Sequence, residues 1–191
     1  MSETVPSATA PTTTVASTTA TPSASSAAVI PTECTDLIAS TAFTASFGAW
    51  PLNDPAVVGT PGSEYYIPAG TVMPTPAASG ATPAQQLSAA TQLRCVWRDP
   101  AADITGLTVE IATVDPALAN GYLASLPAEG YTCAPTITGA GLACENTRTD
   151  PTYGVDIVAT SFLRGDTYIQ VNQANVSTPD LIAALEAKLW A

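Results

Sequence analysis

Gly106-Leu107-Thr108-Val109-Glu110-Ile111-Ala112-Thr113, followed at once by Val114-Asp115-Pro116, is the stretch on which the fold class turns. Along an extended chain Leu107, Val109 and Ile111 face one way and Thr108 and Glu110 the other. That period of two marks an antiparallel strand with one buried and one wetter face. Asp115-Pro116 then opens a helix: the carboxylate can cap free N–H groups, and a proline at the first helical position forfeits no hydrogen bond. Leu118, Tyr122 and Leu126 recur at helical spacing, and Pro127 stops the run.

Working outward, Leu93–Trp97 reads as a second strand, with Trp97 a core residue. Tyr131–Ile137 and Leu142–Asn146 flank the turn signal Thr138-Gly139-Ala140-Gly141 and read as a hairpin. Val155–Phe162 and Thr167–Val171 flank Leu163-Arg164-Gly165-Asp166 and read as another. Thr178-Pro179-Asp180 predicts a last helix with Thr178 as cap and Leu181, Leu185 and Leu189 as its apolar stripe. Near the front, Thr35 is expected to cap a short helix carrying Leu37, Ile38 and Phe43. Strands in neighbouring pairs, and not in alternating βα units, predict an α+β fold: an antiparallel sheet with helices packed on one face. The segments starting at Leu93-Arg94-Cys95 and Leu142-Ala143-Cys144 look alike, each passing through Asp-Pro and Gly to a strand ending in Ala-Thr. One hairpin design used twice accounts for this, and a true duplication would set a groove between two halves.

Composition divides the chain. In residues 1–32, 26 of 32 positions are Ser, Thr, Ala or Pro, and Glu3 is the only charged one. Such a segment buries too little to offset its ordering entropy, so a disordered stalk is expected there. Residues 33–191 are of ordinary size for one domain. Within them lies a Pro/Gly-rich insertion, residues 51–83, where no helix or central strand is expected and Tyr65-Tyr66-Ile67 could supply a short edge strand.

The charges exclude whole classes of function. Five Lys and Arg stand against 16 Asp and Glu, a net charge of -11, and there is no His. A nucleic-acid partner is not expected, because phosphate binding rests on cations. No histidine means no Ser-His-Asp or Cys-His centre and no imidazole zinc site. No run is long and apolar enough for a transmembrane segment. Asp99 with Asp103, and Asp150 with Asp156, could be imagined around calcium, but they fit Asp-Pro turns better. Nothing selects a glycosidase-type carboxylate pair, and no cofactor or metal is expected. Asn175-Val176-Ser177 is a glycosylation sequon of the kind that arises by accident.

Four cysteines allow three pairings. Cys133 and Cys144 flank the predicted turn and are close enough to cross-link that hairpin, which leaves Cys34 for Cys95. Without a CxxC spacing these read as structural bridges, and such bridges need an oxidising compartment. The start Met1-Ser2-Glu3-Thr4 has neither basic nor apolar signal regions, so it is read as lying at or near the mature N-terminus of an exported protein. Anchoring there through a lipid is the finer expectation.

For a binding surface the aromatics lead. Trp50, Tyr65 and Tyr66 border or occupy the insertion and are the candidate ligand-binding residues, with simple pinning of the loop as the plainer role. Cys34 with Leu37 on a helix and, far downstream, Cys95-Val96-Trp97, behind a Ser/Thr/Ala/Pro stalk and with Lys188 as the single lysine, resembles small exported lipoproteins of high-GC Gram-positive bacteria. It is also similar to extracellular sensor domains of their receptor kinases. The resemblance implies a two-disulfide domain outside the membrane that binds a cell-envelope ligand or protein partner without catalysis. A structural envelope protein with no small-molecule pocket is the alternative, an acid-dependent hydrolase the third. A monomer is expected.

Overall fold

The computed structural model describes residues 1, 27–38, 43 and 45–191. Most of the expected stalk, residues 2–26, lies outside them. Packing begins ahead of Glu33: Ala28 and Ile30 lie against the core, and Val29 N–H donates to Leu189 O at 2.8 Å.

Seven strands form one antiparallel sheet in the order β1-β2-β3-β7-β6-β5-β4. They are β1 Gly70–Thr71, β2 Thr91–Trp97, β3 Gly106–Thr113, β4 Thr132–Pro135, β5 Leu142–Thr149, β6 Asp156–Arg164 and β7 Thr167–Ala174. The helices are α1 Cys34–Leu37, α2 Pro55–Val58, α3 Pro83–Ala89, α4 Pro116–Ser125, which runs into a 3-10 turn over Leu126–Glu129, and α5 Leu181–Leu189. After β3, α4 carries the chain to the far edge. The meander β4-β5-β6-β7 then returns, so β7 pairs with β3 along its full length, Val109 opposite Val171 and Ile111 opposite Ile169.

The alternation expected at 106–113 is present: Leu107, Val109 and Ile111 are buried, with Thr108 and Glu110 on the other face. Asp115 caps α4 by accepting from Ala117 N–H at 2.8 Å, with Pro116 at the first helical position. The pleat sorts the core into two layers. Leu93, Cys95, Trp97, Val109, Ile111, Phe162 and Ile169 share one core with α1 and with Leu181, Leu185 and Leu189 of α5. On the opposite face Cys144, Leu163 and Tyr168 pack with Leu87 of α3 and Ala119 and Leu123 of α4. The architecture is α+β on an antiparallel sheet, as expected, but the helices are divided between two faces. Adjacent residues Phe162 and Leu163 show why: both are apolar, so β6 has something to bury on each side.

Four local expectations are corrected. The insertion 51–83 holds the one-turn α2, whose cap Asp54 accepts from Ala56 N–H at 2.8 Å. Its edge strand is Gly70–Thr71 and not Tyr65–Ile67. The first helix follows Glu33 with no side-chain cap, so Thr35 sits inside it and not at its start. The last helix starts at Leu181 behind Asp180 in left-handed geometry, not at Thr178-Pro179. α3 was not expected, although Thr82 and Gln85 exchange side-chain to backbone hydrogen bonds in a capping box.

Both disulfides are formed, Cys34–Cys95 and Cys133–Cys144, and they go with an oxidising, extracytoplasmic environment. The two similar hairpins turn Cys95 and Cys144 to opposite faces of the sheet, and lie on either side of β7. Among the described residues no helix is long and apolar enough to cross a membrane.

Candidate functional site

On β2 the residues between the core positions, Arg94 and Val96, point away from Cys95 and Trp97, to the α3–α4 side of the sheet, in the part that α4 does not cover. The polar side of β3, Thr108 and Glu110, and Asn172 and Ala174 of β7 lie on the same face. Together they floor a cleft of about 420 Å3. Its roof is made by Val57, Val58 and Ile67 from the Pro/Gly-rich insertion, and Arg98 and Ile104 close one end.

The roof is held by backbone logic. Asn53, in left-handed geometry, takes the place of a neighbouring strand beside β2. Its N–H donates to Val96 O at 2.7 Å and its Oδ1 accepts from Val96 N–H at 2.8 Å. One turn later Gly59 has φ 76°. A Cβ there would lie 2.9 Å from Ser63 Oγ and 3.1 Å from Tyr65 O, so only glycine lets the chain fold back over itself. Ile67 N–H then donates to Val58 O at 2.7 Å and closes the loop over the sheet.

Charge in the cleft is opposite to that of the molecule. Arg94 stands directly across from Glu110 in the β2–β3 register, and Arg94 Nε donates to Glu110 Oε1 at 2.9 Å. A second Arg94 nitrogen donates to Pro68 O at 2.8 Å, tying the pair to the insertion. Arg98 is different. It donates to the carbonyls of Ala102 at 2.8 Å and Asp103 at 2.6 Å. Among the described residues it has no carboxylate partner. Its Nε is buried with no acceptor. Its side chain lies on Gly106, where a Cβ would already be 3.4 Å from Arg98 Cδ.

The aromatic residues singled out in the sequence are not brought together. Trp50 is half-buried against the core and borders a separate hollow beside Phe43, Asn175 and Pro179. Tyr65 is 78% exposed and Tyr66 37%, and neither lines the cleft under the insertion they belong to. The cleft residues that sequence reasoning passed over had a signal. Two of only five cations, Arg94 and Arg98, share strand parity with Val96 and oppose Cys95 and Trp97.

A second hollow, about 340 Å3, runs beneath the start of α5, between Pro135, Thr136 and Ile137 on one side and Leu181, Ile182 and Glu186 on the other. Glu186 is 2% exposed; its Oε1 accepts from Thr138 Oγ1 at 2.9 Å and lies 3.5 Å from an Arg164 nitrogen. Arg164 in turn stacks 4.5 Å over the Trp190 ring. Among the described residues no three of His, Cys, Asp and Glu gather as a metal cluster. Asp99 and Asp150 serve turns, accepting from Ala101 N–H at 2.9 Å and Thr152 N–H at 2.9 Å.

No protein-family model matches the chain, and comparison with curated proteins and with solved structures returns no match.

Proposed function

We propose that this chain is a non-enzymatic, extracytoplasmic binding domain of the sensor type, whose cleft beneath residues 55–67 takes a small amphiphile with an apolar body and one anionic head. Arg98 carries the reading. In a chain of net charge -11 it is a cleft-wall cation with no carboxylate partner among the described residues, facing Val57, Val58, Ile67 and Ile104. An apolar lining with a few placed polar groups is the ordinary make-up of a small-molecule site, and 420 Å3 lies within the usual size range. The resemblance to exported lipoproteins and sensor domains points the same way. Attachment through a lipid at the N-terminus belongs to this proposal, and the mass of the protein isolated from its source tests it.

Isothermal titration with decanoate, decanol and decyltrimethylammonium tests the ligand class. Decanoate is expected to bind best, and Arg98→Met to weaken it about tenfold, the loss of one charge-assisted hydrogen bond. Equal binding of all three, or none, would remove the anion-selective cleft. The exposed Tyr65 and Met73 would then favour the alternative of an envelope protein that meets its partner through a surface.

A further inference from the structure

The two disulfides sit in unlike surroundings. Cys34 is 3% exposed and Cys95 0%, both within the α1–α5 core. Cys133–Cys144 joins directly opposed residues of β4 and β5, and although Cys144 is fully buried, Cys133 is only partly buried against the α3–α4 core, on a four-residue edge strand. Thr132, Ala134 and Pro135 are exposed, so β4 has little buried surface of its own. Beyond the hairpin hydrogen bonds, Cys133 is the one residue of β4 that packs on the body of the domain.

What the bridge fastens matters elsewhere. Directly after β4, Thr136 and Ile137 form one wall of the hollow beneath α5, and Thr138 donates to the buried Glu186 across it. Ile137 itself is 91% exposed, so no packing of its side chain holds that wall in place.

We propose that Cys133–Cys144 is a reducible switch that loosens the wall of the α5 hollow, whereas Cys34–Cys95 is a permanent clamp. The reductant is a dithiol. One of its thiolates attacks the Cys133 sulfur, the S–S bond breaks, and the Cys144 sulfur leaves as a thiolate and takes up a proton. The second thiol of the reductant then displaces Cys133 from the mixed disulfide. Two electrons have passed to the bridge, both cysteines are thiols, and the reductant departs as its own disulfide. Access selects the bridge, since exchange requires the attacking thiolate to reach a sulfur.

The test uses the full chain, without denaturant. It is treated with dithiothreitol, quenched by alkylation at intervals and read by mass spectrometry, with hydrogen exchange measured in parallel. Cys133 and Cys144 are expected to be labelled while Cys34 and Cys95 remain oxidised. Exchange over residues 132–141 should rise about tenfold, with β2, β3 and β7 unchanged and reoxidation restoring protection. Equal labelling of the two pairs, no reduction short of global unfolding, or selective reduction without faster exchange at 132–141 would each overturn the proposal.

Discussion

Tyr168 lies under α4 with its hydroxyl 3.1 Å from Ser161 Oγ and hydrogen-bonded to Gln170 Oε1, and its ring is edge-on to Tyr122 at 6.4 Å. Burial raises its phenol pKa well above the ordinary 10, with a bond to Ser161 pulling the other way. Tyr122 and Tyr131 are raised too, first by burial. A raised folded-state pKa means that the unfolded chain ionises first as pH climbs. Stability from these groups is therefore whole below pH about 10 and is lost above it. Urea denaturation between pH 8 and 11 should show that fall, and Tyr168→Phe should flatten it. Sterics are as local. At Gly141 a Cβ would stand 2.3 Å from Phe162 Cε2, and Phe162 is fully buried. Gly141→Ala should cost about 1–3 kcal/mol, read as a lower urea midpoint at unchanged slope. Sequence showed Gly141 as a turn residue; its real constraint, a ring from the neighbouring strand, lies 21 positions away.

Elements were legible where polarity and period agreed. β3 carried a periodic face and α4 an Asp-Pro start, and each forms within a residue or two of its expected place. α3 shows the opposite case. Breakers on its N-terminal side drew attention from Thr82-Pro83-Ala84-Gln85, a start signal that local hydrogen bonding turns into a helix. Thr82→Ala should cost about 1 kcal/mol in urea unfolding, with faster hydrogen exchange confined to Pro83–Ala89. The final helix erred the other way: Thr178 has a cap-like identity, but its hydroxyl bonds to Gln173 on β7, which leaves α5 to begin two residues after Pro179. A local signal holds only while no tertiary partner competes for the same group.

For the whole molecule, the disulfides fasten a sheet whose edges are far apart in sequence. Cys34–Cys95 closes a separation of 61 residues and Cys133–Cys144 one of 11. On the chain-entropy model the first contributes about 4 kcal/mol and the second about 3. Cys34→Ala with Cys95→Ala should thus lower unfolding free energy by about 4 kcal/mol, read by denaturant titration. Removal of the long bridge also takes from Asn53, at the base of the roof of the Arg98 cleft, the contact its Nδ2 makes with Cys34 Sγ at 3.6 Å. Loss of decanoate affinity is therefore expected alongside the loss of stability.

The α+β class, the strand pairs, the covalent pairing and the exclusion of histidine chemistry followed from residue identity and spacing, because period, turn geometry and side-chain inventory act over neighbours in the chain. The insertion of β7 beside β3, the division of helices over two faces and the meeting of Val57, Ile67, Arg94 and Arg98 around one cleft were settled only in three dimensions. Each depends on which apolar faces find one another, Ile169 against Ile111 and Leu163 against Leu123 among them. Trp50, Tyr65 and Tyr66 were chosen for what aromatic rings can do. Position decides which side chains border an enclosed space, and there Arg94 of β2 and Arg98 just beyond it took the place of the rings.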